Sequence, residues 1–417
     1  MASFAKQLEQ LLAAARERNL IDAPTSAALF DLAEKRDRGR GWLNVAAILG
    51  WLGGGVAALG VILLVAANWQ AIDRWTKIVG FLILLAGVHA LGFWIRWTGR
   101  PWKATAEALH FFGAGLFLAG VGLIAQVFHL NSRPPNGVLA WLIAIAPLAA
   151  LMRSPSISWM TIFALLLWGH MEGAWGGSVL SMPRWTFTPH LMLEIGVGAA
   201  LVGCSGLLRS LEPRIAHVMR AAGGLLLFFG VYVLGFYRHF SELHIDPQRG
   251  GSVILPVAAL ALGGAGLAAG ARRLAPESAW LRGRLIVFLA LTLAISAVAL
   301  AADVGAFPRG PRLEFFSFGH TEAYDLVELA VSGAAWIVWF VLAFWCVAFG
   351  ARSHRKTYVN AGVVGVGFGA VTRFFDLIGT LAQTGMIFFV GGIVLLGTGW
   401  AMERWRRGLV ARMEATQ

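Results

Sequence analysis

Along this chain, stretches of about 20 apolar residues alternate with short polar loops. The pattern repeats about twelve times, over residues 42–67, 77–97, 104–128, 136–152, 156–173, 190–210, 215–238, 251–271, 280–302, 326–350, 356–377 and 381–402. A run of that length matches the thickness of a bilayer's hydrocarbon core when coiled as a helix. Membrane strands would need about ten residues alternating apolar and polar, and these runs are continuously apolar. The expected fold is all-α, a polytopic transmembrane helix bundle of about 12 spans. Residues 1–40 read as a short cytoplasmic helical hairpin, 41–402 as the bundle and 403–417 as a basic tail. In the hairpin, Leu8, Leu11, Leu12 and Ala15 share a helical spacing. A second helix is expected after Pro24–Thr25, capped by Thr25 or Ser26.

The loop charges orient the chain. Of the 34 Lys and Arg, 24 fall in the N-terminal arm, the tail and every second loop, 8 in the opposite loops and two, Arg220 and Arg373, inside spans. Basic residues collect on the cytoplasmic side, so both termini are expected there. The same bias accounts for the net charge of +12; no basic run is interleaved with aromatics as nucleic-acid binding would need. No cleavable signal peptide is expected, because the first apolar run is too long for one. Trp42, Trp69, Trp97, Trp102, Trp185, Trp280, Trp400 and Trp405 flank spans as an interfacial belt.

Composition adds little chemistry. The chain is 58% hydrophobic and 13% charged, with two cysteines, Cys204 and Cys346, each inside an apolar run. No metal-ligand spacing, phosphate-binding loop or nucleophile motif is present, so no metal, cofactor or catalytic residue is expected. The pairs Gly50/Gly54, Gly266/Gly270 and Gly365/Gly369 permit close helix approach, read as packing within one bundle. The stretches Gly60–Trp69 and Gly120–Phe128 echo one another, each ending near an amide.

Polar residues inside spans stand out, since an ionisable side chain at mid-bilayer costs about 2.5–3.5 kcal/mol on insertion scales. An outer layer holds Asn68, Gln126, His129, His170, Glu172, Glu194, Arg373 and Asp376. An inner layer holds Asn44, Glu107, His110, His217, Arg220 and Asn360. Arg373 and Asp376 share a helix face and can pair. Glu107 and His110, also three apart, fit a proton relay or a structural pair. An outward-facing vestibule would require Arg373, Glu194 and Gln126 to face one interior. The candidate pathway residues are therefore Glu107, His110, Gln126, His129, Glu194, Arg373, Asp376 and Asn68. The longest outer loop, residues 303–325, mixes acidic residues with Phe315, Phe316 and Phe318.

Three stretches carry a resemblance: Leu8–Ile21 leading to Val65-Ala-Ala-Asn-Trp69, then Ala125-Gln-Val-Phe-His-Leu130, then Arg373-Phe-Phe-Asp376 with Phe388–Leu396. Together they resemble an uncharacterised bacterial membrane family, domain of unknown function 2157, most clearly over residues 1–150. The resemblance implies a bacterial cytoplasmic-membrane protein and a neighbouring membrane-protein partner, and it favours Asn68, Gln126, His129, Arg373 and Asp376. It supplies no reaction. Membrane lipids are expected contacts. A transporter or flippase-like protein, a non-transporting scaffold, sensor or assembly subunit, and an enzyme on lipid-linked substrates all stay open, in that order.

Overall fold

A computed structural model describes residues 70–98, 103–182, 187–240, 252–274, 279–308, 310–317 and 320–378, with short pieces of 12–29 and 392–408. Two compact units divide the chain, Met1–Gly80 and Phe81–Gln417. The expected first and last spans, the tail, Asn68 and the 60–69 half of the sequence echo lie largely or wholly outside the described residues.

In the first unit, residues 23–26 are helical. The cap is Asp22, whose carboxylate accepts from the Thr25 backbone N–H at 3.0 Å. This corrects the expectation of Thr25 or Ser26. A carboxylate placed before Pro24 satisfies the first turn's orphan donors, so the start moves upstream of the proline. The Thr25 bonds hold the Asp22 carboxyl below the usual carboxylate range.

Helices follow in order: α1 Arg74–Trp97, α2 Lys103–Val127, α3 Pro134–Met152, α4 Pro155–Ala174, α5 Thr188–Leu208, α6 Pro213–Leu234, the single turn α7 Tyr237–Phe240, α8 Ile254–Gly270, α9 Ala279–Asp303, α10 Leu326–Arg352 and α11 Lys356–Ile378. All ten expected spans in this region are helical. Eight of the described helices are long and apolar enough to cross a membrane. Prolines open α3, α4, α5 and α6 within the first two positions, where the missing N–H costs nothing.

One departure from an all-helical chain is the antiparallel hairpin of β1 Leu313–Ser317 and β2 His320–Tyr324, with Leu313 opposite Tyr324 and Ser317 opposite His320. It occupies part of the stretch 303–325, expected from the sequence to be the longest outer loop. Its end leads straight into the capping box of α10, where Asp325 accepts from Val327 N–H at 2.9 Å and Glu328 accepts from Asp325 N–H at 2.7 Å.

The core sits among α5, α6, α8, α9 and α10, around Leu191, Ile195, Leu234, Tyr237, Leu289 and Val331. The α5–α8 contact is glycine-built. A Cβ on Gly203 would strike the Gly266 carbonyl, and one on Gly270 would strike the Gly203 carbonyl. In a membrane, where apolar association between helices gains little, such backbone approach supplies dispersion contacts. The Gly266/Gly270 pair thus packs within the bundle, as its spacing suggests. Cys204 and Cys346 are free and half-buried.

Candidate functional site

At the end of the bundle where α6 and α11 finish and α10 begins, six polar side chains converge. The chain breaks at Gly235, and the one-turn α7 follows with Arg238 and His239 adjacent. Gly235 lies against the Trp336 indole of α10, where a Cβ would collide. That approach lets the Arg238 backbone N–H donate to Ser332 Oγ at 2.9 Å. The Arg238 guanidinium then reaches Asp376 Oδ1 of α11 at 2.5 Å. Arg373, one turn earlier on the same face, bonds Asp376 Oδ2. Its guanidinium also lies over the Trp336 ring, 5.5 Å from the centroid.

His239 and Tyr324 complete the group. His239 Nε2 is 3.1 Å from Asp376 Oδ1, and its Nδ1 is 3.1 Å from the Tyr324 hydroxyl. Arg238 Nε also donates to His239 Nε2 at 3.2 Å, and a nitrogen that accepts there leaves Nδ1–H to donate to the Tyr324 hydroxyl. Tyr324 is the last residue of β2, so the hairpin is tied to the cluster. Beside it, the buried Tyr237 hydroxyl bonds Asp303 Oδ1 at 2.5 Å and the Ala299 carbonyl at 3.0 Å. Asp376 and Asp303 are fully buried, and Arg238, Asp325 and Glu328 nearly so. Ionised groups removed from water need this saturation with partners, and loss of one leaves its mate uncompensated.

A second polar group joins α3, α4 and α5. Arg133 pairs with the buried Glu172 at 2.6 Å, and Ser178 donates to the same carboxylate. His170 bridges two groups: its Nδ1 is 3.1 Å from His190 Nδ1, and its Nε2 is 3.5 Å from Glu194. Among the described residues, no group of three or more His, Cys, Asp or Glu is placed to hold a metal ion.

The third group separates two residues that share a helix face. Glu107 accepts from the Ser154 hydroxyl and from Ser156 N–H at 3.2 Å, while Ser154 caps α4 through Ile157 N–H. His110 instead meets His89 of α1, Nδ1 to Nδ1 at 3.2 Å. Their partners lie in different directions, so the pair of Glu107 with His110 as a direct relay is not formed.

Of the candidates, then, Arg373 and Asp376 come together as their spacing predicts. Glu194 joins His170 from the same expected layer. Gln126 and His129 are exposed, and His129 turns the chain at φ +50°. Glu194 meets His170, and Arg373 meets Asp376. Arg238, counted from sequence among the outer loop charges, is the residue that reasoning missed. A span ending at 238 places it at headgroup depth, and only the break at Gly235 turns it inward.

A polytopic helical membrane protein is the class this fold defines. Residues 14–158 match the model of the family described as "Predicted membrane protein (DUF2157)", so the family resemblance seen in the sequence holds. Comparison with curated proteins and with solved structures finds no match.

Proposed function

We propose that this is a transporter or flippase-like protein of a bacterial cytoplasmic membrane, with both termini cytoplasmic and Arg238–Asp376–Arg373 closing its outer end. The observation that carries the reading is the ion cluster itself. Charges are expensive inside a membrane bundle, and here they join α7, α11 and the hairpin rather than one helix. An ionic closure of that kind holds when saturated and opens as a unit when Asp376 loses a partner. The loop charge bias supports the orientation, placing α6 and α11 ends outside.

The test is accessibility from outside. Ala335, buried on α10 near the cluster, is changed to Cys in a protein whose two native cysteines are replaced by Ala. A transporter opens this end, so a membrane-impermeant maleimide labels Ala335→Cys slowly in intact cells, and faster after Asp376→Asn. Full labelling after denaturation with none in the native protein would defeat the proposal.

A non-transporting scaffold is the second reading, favoured by the α5–α8 backbone contact at Gly203 and Gly270. Packing so close resists sliding. That reading expects a closed bundle, and loss of a co-purifying membrane partner on deletion of residues 1–40.

A further inference from the structure

Two carboxylates stand near the end of α4 and the start of α5, and they are compensated differently. Glu172 is paired with Arg133 at 2.6 Å and accepts from Ser178. Glu194, within the first two turns of α5, has no Lys or Arg against it among the described residues. Its ion-pair partner is the His170 ring, with Oε1 at 3.5 Å from Nε2, and its Oε2 is buried without a hydrogen-bond partner. A charge-assisted bond spans about 2.7–2.9 Å, so the carboxylate lies within electrostatic reach of the ring without being held by it. An ionised side chain in a membrane span is costly without a counter-charge. A neutral imidazole supplies none, and an imidazolium supplies a full one.

The helix contact sets this up. Leu193 of α5 fills the space beside Gly169 of α4, where a Cβ would meet its Cδ2 at 2.6 Å. That approach brings the next residue on each helix, His170 and Glu194, together. His190, one turn before Glu194 on the same face of α5, presents its Nδ1 to His170 Nδ1 at 3.1 Å. The ring centroids are 5.3 Å apart and the planes differ by 21°, so the two nitrogens meet head-on in nearly coplanar rings. One of them must donate and the other accept. With His170 Nε2–H turned to a carboxylate, which only accepts, His170 Nδ1 accepts from His190 Nδ1–H. His190 Nε2 is then the ring nitrogen neither bonded nor closed off. The His170 and Glu194 side chains are 32% and 22% exposed, against 8% for Glu172, so a proton can reach them. Of the other groups on the surrounding helices, Arg133 pairs with Glu172, Asp303 of α9 bonds Tyr237, and Tyr232 of α6 lies among aromatic rings. The α8 helix carries no titratable residue, and the remaining charged groups and histidines of α2, α6 and α9 stand near their opposite ends.

We propose that His170, His190 and Glu194 form a proton-binding site, in which the counter-charge of Glu194 is one exchangeable proton. A proton arriving at His190 Nε2 sends the Nδ1 proton across to His170 Nδ1. His170, already protonated at Nε2, becomes the imidazolium facing Glu194, and the site passes from net negative to neutral. Loss of the proton reverses the two transfers. The site lies on α4 and α5, on different elements from Arg238, Arg373 and Asp376, and does not rest on the transporter reading. The experiment is nuclear magnetic resonance of the full chain in lipid bilayers, with isotope-labelled histidine nitrogens, at about pH 6, where imidazoles titrate. The wild-type spectrum shows an imidazolium signal that His170→Gln removes, and a coupling across the hydrogen bond between the two Nδ1 nitrogens. Glu194→Gln weakens that imidazolium signal several-fold, because the opposite charge that favours it is gone. An unchanged elution volume and helical circular dichroism show that each variant is folded. Absence of an imidazolium at His170, or a signal as strong in Glu194→Gln as in the wild-type protein, overturns the proposal. Failure of the Ala335→Cys labelling defeats the transporter and leaves this result standing.

Discussion

Arg238 and Asp376, 138 positions apart in the chain, meet at 2.5 Å with side chains 1% and 0% exposed. Their bond ties the turn after α6 to the last turns of α11. Because Asp376 also takes Arg373 and His239, one carboxylate holds three cationic or potentially cationic groups.

Removing that carboxylate leaves Arg238 buried without its partner. Asp376→Ala is expected to destabilise the protein by about 3–5 kcal/mol, the usual range for breaking a buried pair. Arg238→Leu together with Asp376→Leu should recover part of the loss, since the fully buried guanidinium goes with its carboxylate and only the partly exposed Arg373 and His239 lose that partner. Thermal unfolding in detergent measures both, and a double variant as unstable as Asp376→Ala counts against the ion-pair account.

The α5–α8 contact predicts opposite results at nearby glycines. Gly203→Ala places a Cβ against the Gly266 backbone, which cannot yield without separating the helices. Gly264→Ala on the same α8 meets nothing within 4 Å and gains helix propensity, about 1 kcal/mol for Gly to Ala. Unfolding temperature should fall sharply for the first and hold or rise for the second. Equal effects would mean that the helices are not in backbone contact.

Glu107 and His110 should act independently, although they are three residues apart. Glu107→Ala removes the bonds to Ser154 and Ser156 that support the start of α4, costing about 1 kcal/mol, as for a lost cap. His110→Ala removes the stack on His89. Sharing no hydrogen bond, the two should couple by no more than a charge interaction between neighbours on a helix, about 0.5 kcal/mol. A larger coupling energy, measured by the same unfolding assay, would restore a direct relay.

Asp22 gives a pH dependence in the first unit. Its carboxyl is lowered from 3.8 by the bonds from Thr25, so folding favours the ionised form. The cap's contribution is therefore present above 3.8 and is lost as pH falls through the lower folded value. Amide hydrogen exchange at Thr25 in the full chain should show protection fading on acidification, beyond the intrinsic pH effect on exchange. Asp22→Asn should abolish that additional fading; if it persists in the variant, another group controls the turn.

The helices were legible because each one satisfies its own backbone within a contiguous apolar run. Ten runs, from Arg74–Trp97 to Lys356–Ile378, could be located without knowing any neighbour. Arg373 with Asp376 was legible for the same reason, being a matter of spacing on one helix. The hairpin at Leu313–Tyr324 was not, because two short strands depend on each other and composition suited a loop equally well.

What the sequence determined by itself was therefore everything local: a helical membrane protein, the positions of the ten spans among the described residues, the family resemblance and the Arg373–Asp376 pair. What only the tertiary structure decided was which polar groups meet across helices. Arg238 reads as a headgroup anchor until the break at Gly235 turns it toward Asp376. His110 reads as Glu107's partner until Gly92 and Gly113 bring α1 close enough for His89 to take that place. Helical periodicity fixes where a side chain points on its own helix, but close approach between helices, set by glycines far apart in sequence, fixes what it finds there.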